Sequence, residues 1–164
     1  KKKMLRAINS FKALRYRQEI IYSSSKLLII NDSKSTSFSS SINLLKSFKN
    51  IYWLVGGLYK KGDLFNLKKE NSKIIRAYIY GKYKNFFIRQ FKNKLKFKSF
   101  RNVREALKEI ILDIKNEKLN TYRKEILFSP SAASFDSYKN FEERGKYFNY
   151  LVKKLKVIKI INEN

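Results

Sequence analysis

At 164 residues, with 38 basic against 13 acidic side chains, the chain is long enough to bury one core and carries a formal charge of +25. It contains no cysteine and no histidine, which excludes disulfides, thiolate or imidazole metal sites, and Ser-His-Asp or Cys-His catalysis. No apolar run approaches the ~20 residues of a membrane span, and no secretory signal follows the basic start Lys1-Lys2-Lys3-Met4-Leu5-Arg6, so a cytoplasmic location is expected.

Apolar runs of strand length alternate with segments of helical period. Leu27-Leu28-Ile29-Ile30 reads as a buried strand that ends at Asn31-Asp32-Ser33, residues that favour turns and helix N-caps. A helix is expected from about 38 to 48, with Ile42, Leu45 and Phe48 on one face. Ile51-Tyr52-Trp53-Leu54-Val55 is the next strand, closed by Gly56-Gly57. Ile74 to Tyr80 is another, closed by Gly81 and followed by a helix at about 85–91. A short strand near Leu95-Lys96-Phe97 leads to the clearest helix. There Val103, Ala106, Leu107, Ile110, Ile111 and Ile114 recur at three- and four-residue spacing, with Ser99 or Asn102 as cap. The last strand is Glu125 to Phe128 and the last helix runs from about 141 to 155. Repeated β-α units predict an α/β fold with a Rossmann-like, doubly wound, mainly parallel sheet. The chain reads as a single domain over 1–164, its core at about 11–155.

A charge of +25 invites a polyanion partner, since Lys and Arg gain affinity by releasing counterions from phosphates. The basic residues are spread along the chain, however, and Lys far outnumbers Arg. Lys, Asn, Ile, Phe and Tyr are abundant while Gly and Pro are scarce, as in a chain drifting toward AT-rich codons. Codon drift is the simpler account, and nucleic acid is not the expected partner. Residue 1 is not Met, so the chain is expected to be cut from a longer protein.

In a doubly wound sheet, ligands sit beyond the carboxyl ends of the strands. That rule selects three loops. Asn31-Asp32-Ser33-Lys34-Ser35-Thr36-Ser37 sets a carboxylate, an ammonium and hydroxyls beside a helix N-terminus, a place that suits anions; Asp32 and Ser33 are equally plain as caps. Gly56-Gly57-Leu58-Tyr59-Lys60-Lys61-Gly62-Asp63 offers a tight exit and two lysines. Ser129-Pro130-Ser131-Ala132-Ala133-Ser134-Phe135 follows the apolar run Ile126-Leu127-Phe128, so small side chains there let a ligand approach the backbone. No Gly-x-x-x-x-Gly-Lys-Ser/Thr loop occurs anywhere in the chain.

The same three loops resemble, in order, the C-terminal domain of the UDP-N-acetylmuramoyl-L-alanine:D-glutamate ligases (MurD) of the Mur ligase family. The family's Asn-Asp-Ser-Lys-Ala-Thr-Asn stands here as Asn31 to Ser37, and its Gly-Gly loop with a following lysine as Gly56-Gly57-Leu58-Tyr59-Lys60. Its Ser-Pro-Ala-Cys-Ala-Ser-x-Asp-x-Phe-x-Asn-Phe-Glu-x-Arg-Gly stands as Ser129 to Gly145, and Leu14-Arg15-Tyr16-Arg17-Gln18-Glu19 looks like the entry to the domain. The resemblance covers most of the chain, from about Phe11 to Leu155.

The resemblance implies an ATP-dependent carboxylate–amine ligase of peptidoglycan synthesis, working through an acyl phosphate. By position, Thr36, Lys60, Ser134 and Phe141 would bind D-glutamate, with the backbone of Phe135 assisting. Arg17 and Asp32 would reach ATP, and Lys34 would meet phosphate or the acyl phosphate as the catalytic cation. D-glutamate and UDP-N-acetylmuramoyl-L-alanine would be the substrates. ATP and Mg2+ would be held mainly by a central ATPase domain, this chain's partner, which is missing here together with the N-terminal UDP-sugar domain. The chain alone is therefore expected to be inactive, and no metal site is assigned to it. Tyr16 replaces a family histidine beside the nucleotide and is left out of the site; Ser37 replaces an asparagine. Two alternatives stay open on the residues alone: a basic nucleic-acid-binding domain on a reused fold, and a stand-alone remnant kept for binding another protein.

Overall fold

The computed structural model describes residues 14–67, 75–117 and 122–162. In chain order the elements are β1 (Glu19–Ser23), β2 (Leu27–Asn31), α1 (Phe38–Lys46), β3 (Ile51–Gly56), β4 (Ile75–Tyr80), α2 (Lys84–Phe91), β5 (Lys96–Phe100), α3 (Val103–Asn116), β6 (Lys124–Phe128), α4 (Phe141–Lys154) and α5 (Val157–Asn162). They build one sheet in the order β1-β2-β6-β3-β4-β5. Five strands are parallel, and β1 joins β2 antiparallel at the edge.

The central strands read as unbroken apolar runs because both faces of the sheet are covered. Along β3, Ile51, Trp53 and Val55 meet Leu44 and Leu45 of α1 and Phe87 and Phe91 of α2. Tyr52 and Leu54 point the other way, into a core with residues of α3, α4 and α5. The result is a three-layer α/β/α sandwich, as the β-α alternation predicts. Helix α3 buries Val103, Ala106, Leu107, Ile110, Ile111 and Ile114, the stripe given by its spacing. Its cap is Asn102, whose Oδ1 accepts from the Glu105 N–H at 3.0 Å.

Connection order decides where the site lies. From β2 the chain passes through α1 on one face to β3; from β5 it returns through α3 on the other face to β6, inserted between β2 and β3. Leaving the carboxyl ends of neighbouring β2 and β6, the chain therefore goes to opposite faces. That divergence is the topological switch point of a doubly wound sheet, the place where such folds bind ligands.

Five local features differ from expectation. The antiparallel edge strand β1 and the terminal helix α5 were not foreseen, and α5 sends Val157 and Ile161 into the core, past the expected limit at 155. Helix α1 presents Phe38, Ser41, Leu44 and Leu45 inward, leaving Ile42 half-buried, because the polar Ser41 is drawn into a buried hydroxyl cluster. Its N-cap is Ser37 rather than Asp32 or Ser33. The edge strand β5 spans Lys96–Phe100 instead of centring on Leu95–Phe97. Ile74 and residues 11–13 lie outside the described residues.

Candidate functional site

The three loops chosen from the sequence leave β2, β3 and β6, which are neighbours at the switch point. Backbone hydrogen bonds stitch them together. The Asp32 N–H extends the sheet to the Phe128 carbonyl (2.7 Å), and the Gly56 N–H donates to Pro130 O (3.1 Å). Leu58 and Ala133 exchange a reciprocal pair at 3.0 and 2.9 Å. Gly57 lies between these contacts at φ +129, where a Cβ would sit 2.6 Å from the Ala133 carbonyl and 3.1 Å from Arg144 Nη1. No side chain fits there, so the glycine is what lets the second loop close on the third.

Beneath this surface lies a cluster of buried hydroxyls. Ser41 Oγ is 2.6 Å from Ser35 Oγ, 2.7 Å from Ser129 Oγ and 2.6 Å from Ser131 Oγ, so α1 is tied to the first and third loops at one atom. Ser35 Oγ continues to Ser40 Oγ (2.8 Å), and Ser129 Oγ pairs with Asp32 Oδ2 (2.8 Å). Trp53 Nε1 donates to the Ser129 carbonyl at 2.7 Å from beneath. Asp32 is 4% exposed, and its other oxygen accepts from the Gln18 N–H (3.1 Å). Burial pushes its carboxyl above the usual range, against the Ser129 and Gln18 hydrogen bonds and the positive fields of Arg17 and Arg144.

On the opposite face, Arg144 of α4 is 1% exposed and reaches under the first loop. Its Nη2 donates to the Ser33 carbonyl at 2.6 Å and its Nε to Ser33 Oγ at 3.1 Å. Ser33 Oγ donates in turn to the Phe141 carbonyl (2.8 Å), closing the first turn of α4 onto the loop. Desolvation lowers the Arg144 pKa, opposed by Tyr80, Asp136, Tyr138 and Asp32 nearby. Lys34, next along the loop, places its Nζ 4.5 Å from the Phe141 ring centroid. The loop is also held through Tyr16, whose carbonyl accepts from the Lys34 N–H at 2.9 Å. The Tyr16 ring lies flat on Gly145, so close that a Cβ there would fall 2.6 Å from Cγ, 2.9 Å from Cε1 and closer still to Cδ1.

Each expected residue can now be placed. Lys34, Thr36, Lys60, Ser134, Phe135 and Phe141 all stand on the three loops or at the head of α4, along one edge of the sheet. Thr36 and Lys60 are exposed, Lys34 and Phe141 half-buried, and Ser134 is buried at 3% while the neighbouring Phe135 ring is 71% exposed. Arg17 is exposed just before β1. Asp32 is closed off, with both oxygens engaged inside the chain. Ser41, Arg144 and Trp53 shape this edge and were not expected there. The serine-rich run 33–41 was the visible sign of the first.

Chemically, the edge offers exposed cations and donors over a floor of neutral hydroxyls, with its one central carboxylate buried. That suits a small anionic ligand. Among the described residues no three His, Cys, Asp or Glu side chains converge to hold a metal ion, and no helix is long and apolar enough to cross a membrane.

No protein-family model matches the chain. Individual proteins do. It is 39% identical over 153 residues to a UDP-N-acetylmuramoylalanine–D-glutamate ligase of Rickettsia felis, covering 93% of this chain and 34% of that one. Ligases of the same name match from a Wolbachia of Brugia malayi, at 37% identity over 91% of this chain and 29% of the other, and from Petrotoga mobilis, at 37% over 90% and 33%. Among solved structures, a murein peptide ligase from Psychrobacter arcticus aligns with a TM-score of 0.46 and 8% identity, over 89% of this chain and 32% of its own. The chain belongs to the UDP-N-acetylmuramoylalanine–D-glutamate ligase family, and spans about a third of the length of the relatives it matches.

Proposed function

We propose that this chain is the C-terminal, D-glutamate-binding domain of an ATP-dependent ligase that adds D-glutamate to UDP-N-acetylmuramoyl-L-alanine in peptidoglycan synthesis. The observation that carries the reading is the stitching of three loops, each with its ligase-like motif, into one edge at the switch point of the sheet. A dicarboxylate amino acid needs a cation and several donors held in fixed relation, because charge-assisted hydrogen bonds are the strong ones. Lys60 and Thr36 are the exposed cation and hydroxyl of that edge, and Ser134 with the Phe135 backbone lies across the reciprocal Leu58–Ala133 pair from Lys60.

In this reading ATP supplies the phosphoryl group that activates the L-alanyl carboxylate. The residues of this chain orient the D-glutamate amine for attack on the activated carbonyl, with phosphate leaving and the amine losing its proton. Lys34, steadied over Phe141, offsets the negative charge of the phosphoryl group. Arg17 offers an exposed guanidinium to the nucleotide. The buried Asp32 acts on the nucleotide only through the loop it orders. In this reading Mg2+ and most nucleotide contacts belong to the rest of the ligase, and this chain alone is an inactive half of a cleft.

The test is steady-state kinetics of the complete ligase carrying Lys60→Ala or Ser134→Ala. Loss of one charge-assisted contact, roughly 1.5–3 kcal/mol, predicts a ten- to hundredfold loss in kcat/KM for D-glutamate with the KM for ATP little changed. Unchanged D-glutamate kinetics in both variants would remove the binding role.

A further inference from the structure

The second loop closes in a turn whose last side chain serves a different element. Lys60, Lys61, Gly62 and Asp63 form that turn, the Asp63 N–H donating to the Lys60 carbonyl at 3.1 Å with Gly62 at φ +79 as the third residue. The half-buried Asp63 side chain leaves the loop, and its Oδ2 accepts from the Phe38 N–H at 2.8 Å. That N–H is one of the unshared donors at the start of α1, a helix with no acidic residue in its own first turn. The negative charge that this helix end favours therefore comes from 25 residues away in sequence.

Phe38 meets the second loop by two further routes. Its ring, 1% exposed, packs edge-on against the Phe65 ring at 5.4 Å, two residues beyond Asp63. It also lies nearly parallel to Phe86 at 6.1 Å, and Phe86 stacks at 4.0 Å on Tyr59, the residue before Lys60. Lys60 is thus held from both sides against one residue, which stands two places after Thr36. Stacked rings can slide on one another, whereas a charge-assisted hydrogen bond to a backbone N–H is directional and sets the register of loop on helix.

We propose that Asp63 is a positioning residue for the ligand edge: its grip on the start of α1 fixes the exposed Lys60 ammonium relative to the exposed Thr36 hydroxyl, so that both engage one dicarboxylate. Asp63 acts through these two groups and not by touching the ligand. Its role, which rests on the D-glutamate reading of this edge, is one of orientation. Without the tether Lys60 keeps its charge but not its place beside Thr36.

The test is D-glutamate kinetics of the complete ligase carrying Asp63→Ala, Asp63→Asn, Lys60→Ala, or Lys60→Ala together with Asp63→Ala. Asp63→Ala should raise the D-glutamate KM about tenfold and leave the ATP KM within about twofold of the parent. Asp63→Asn keeps an oxygen acceptor for the Phe38 N–H and should bring the D-glutamate KM back to within about threefold of the parent. In the Lys60→Ala enzyme, adding Asp63→Ala should raise KM less than about twofold more, because the group being positioned is gone. A merely structural Asp63 would lower the amount of folded enzyme, and with it kcat, without this pattern in KM. A D-glutamate KM raised by Lys60→Ala but not by Asp63→Ala overturns the positioning role, as does an Asp63→Asn enzyme as impaired as Asp63→Ala. A KM that Lys60→Ala also leaves unmoved removes the D-glutamate reading itself.

Discussion

Gly145 tests how the first loop is held, because its effect opposes the general rule for its kind of position. In the middle of α4, replacing Gly by Ala ordinarily stabilises a protein by about 1 kcal/mol. Here the new methyl would enter the Tyr16 ring, 2.6 Å from Cγ and 2.9 Å from Cε1. Overpacking of that kind costs about 1–3 kcal/mol, and the contact includes the root of the ring, not only the far end of a flexible side chain. Set against the helix benefit, Gly145→Ala should destabilise by up to about 2 kcal/mol net, a melting shift of about 2–4 °C per kcal/mol for a chain of this size. Urea unfolding reads this conveniently through the single, fully buried Trp53. The partner experiment is Tyr16→Ala, in whose background Gly145→Ala should regain its ordinary helix benefit of about 1 kcal/mol. A Gly145→Ala protein as stable as the parent would show that Tyr16 does not rest on this helix.

Two further outcomes follow from the buried groups. Asp32 has a raised native pKa, so the native state holds the proton more tightly than the unfolded chain, and stability drains away as pH rises from the unfolded value of 3.8 through the native one. Asp32→Asn, which has no proton to lose there, should lack that loss; urea midpoints for variant and parent should diverge in the variant's favour as pH rises, and parallel curves would refute the assignment. Arg144→Lys keeps a buried charge but cannot reproduce both Ser33 contacts, so it should cost about 2–3 kcal/mol in urea unfolding and be no more stable than Arg144→Met. A lysine variant within ~0.5 kcal/mol of the parent would mean the guanidinium fork is dispensable.

The strands were legible because both sheet faces are covered, which turns β2, β3, β4 and β6 into apolar runs ended by turn residues. The loops followed from them, since strand-end geometry and not local pattern puts Ser33–Ser37, Gly57–Lys60 and Ser129–Phe135 side by side. What stayed hidden depends on contacts distant in sequence. β1 is a half-exposed edge strand with a bulge between Ile20 and Tyr22, so it shows no clean alternation. Ser41 breaks the apolar face of α1, and its reason lies 88 and 90 residues away, at Ser129 and Ser131. Arg144 was visible as part of a motif, but its burial under Ser33 depends on Gly57 and the fold as a whole. The +25 charge carries little structural information: among the described residues most lysines are exposed and spread along the chain.

The central claim is that this edge selects the amine of a ligation. Phosphate release by the complete protein, with ATP and UDP-N-acetylmuramoyl-L-alanine present, tests it most directly when D-glutamate, L-glutamate, D-alanine and glycine are compared in turn. D-glutamate alone should stimulate release, and Lys60→Ala should abolish most of that stimulation. Release that is indifferent to the added amine, or stimulation that survives Lys60→Ala, would contradict the account.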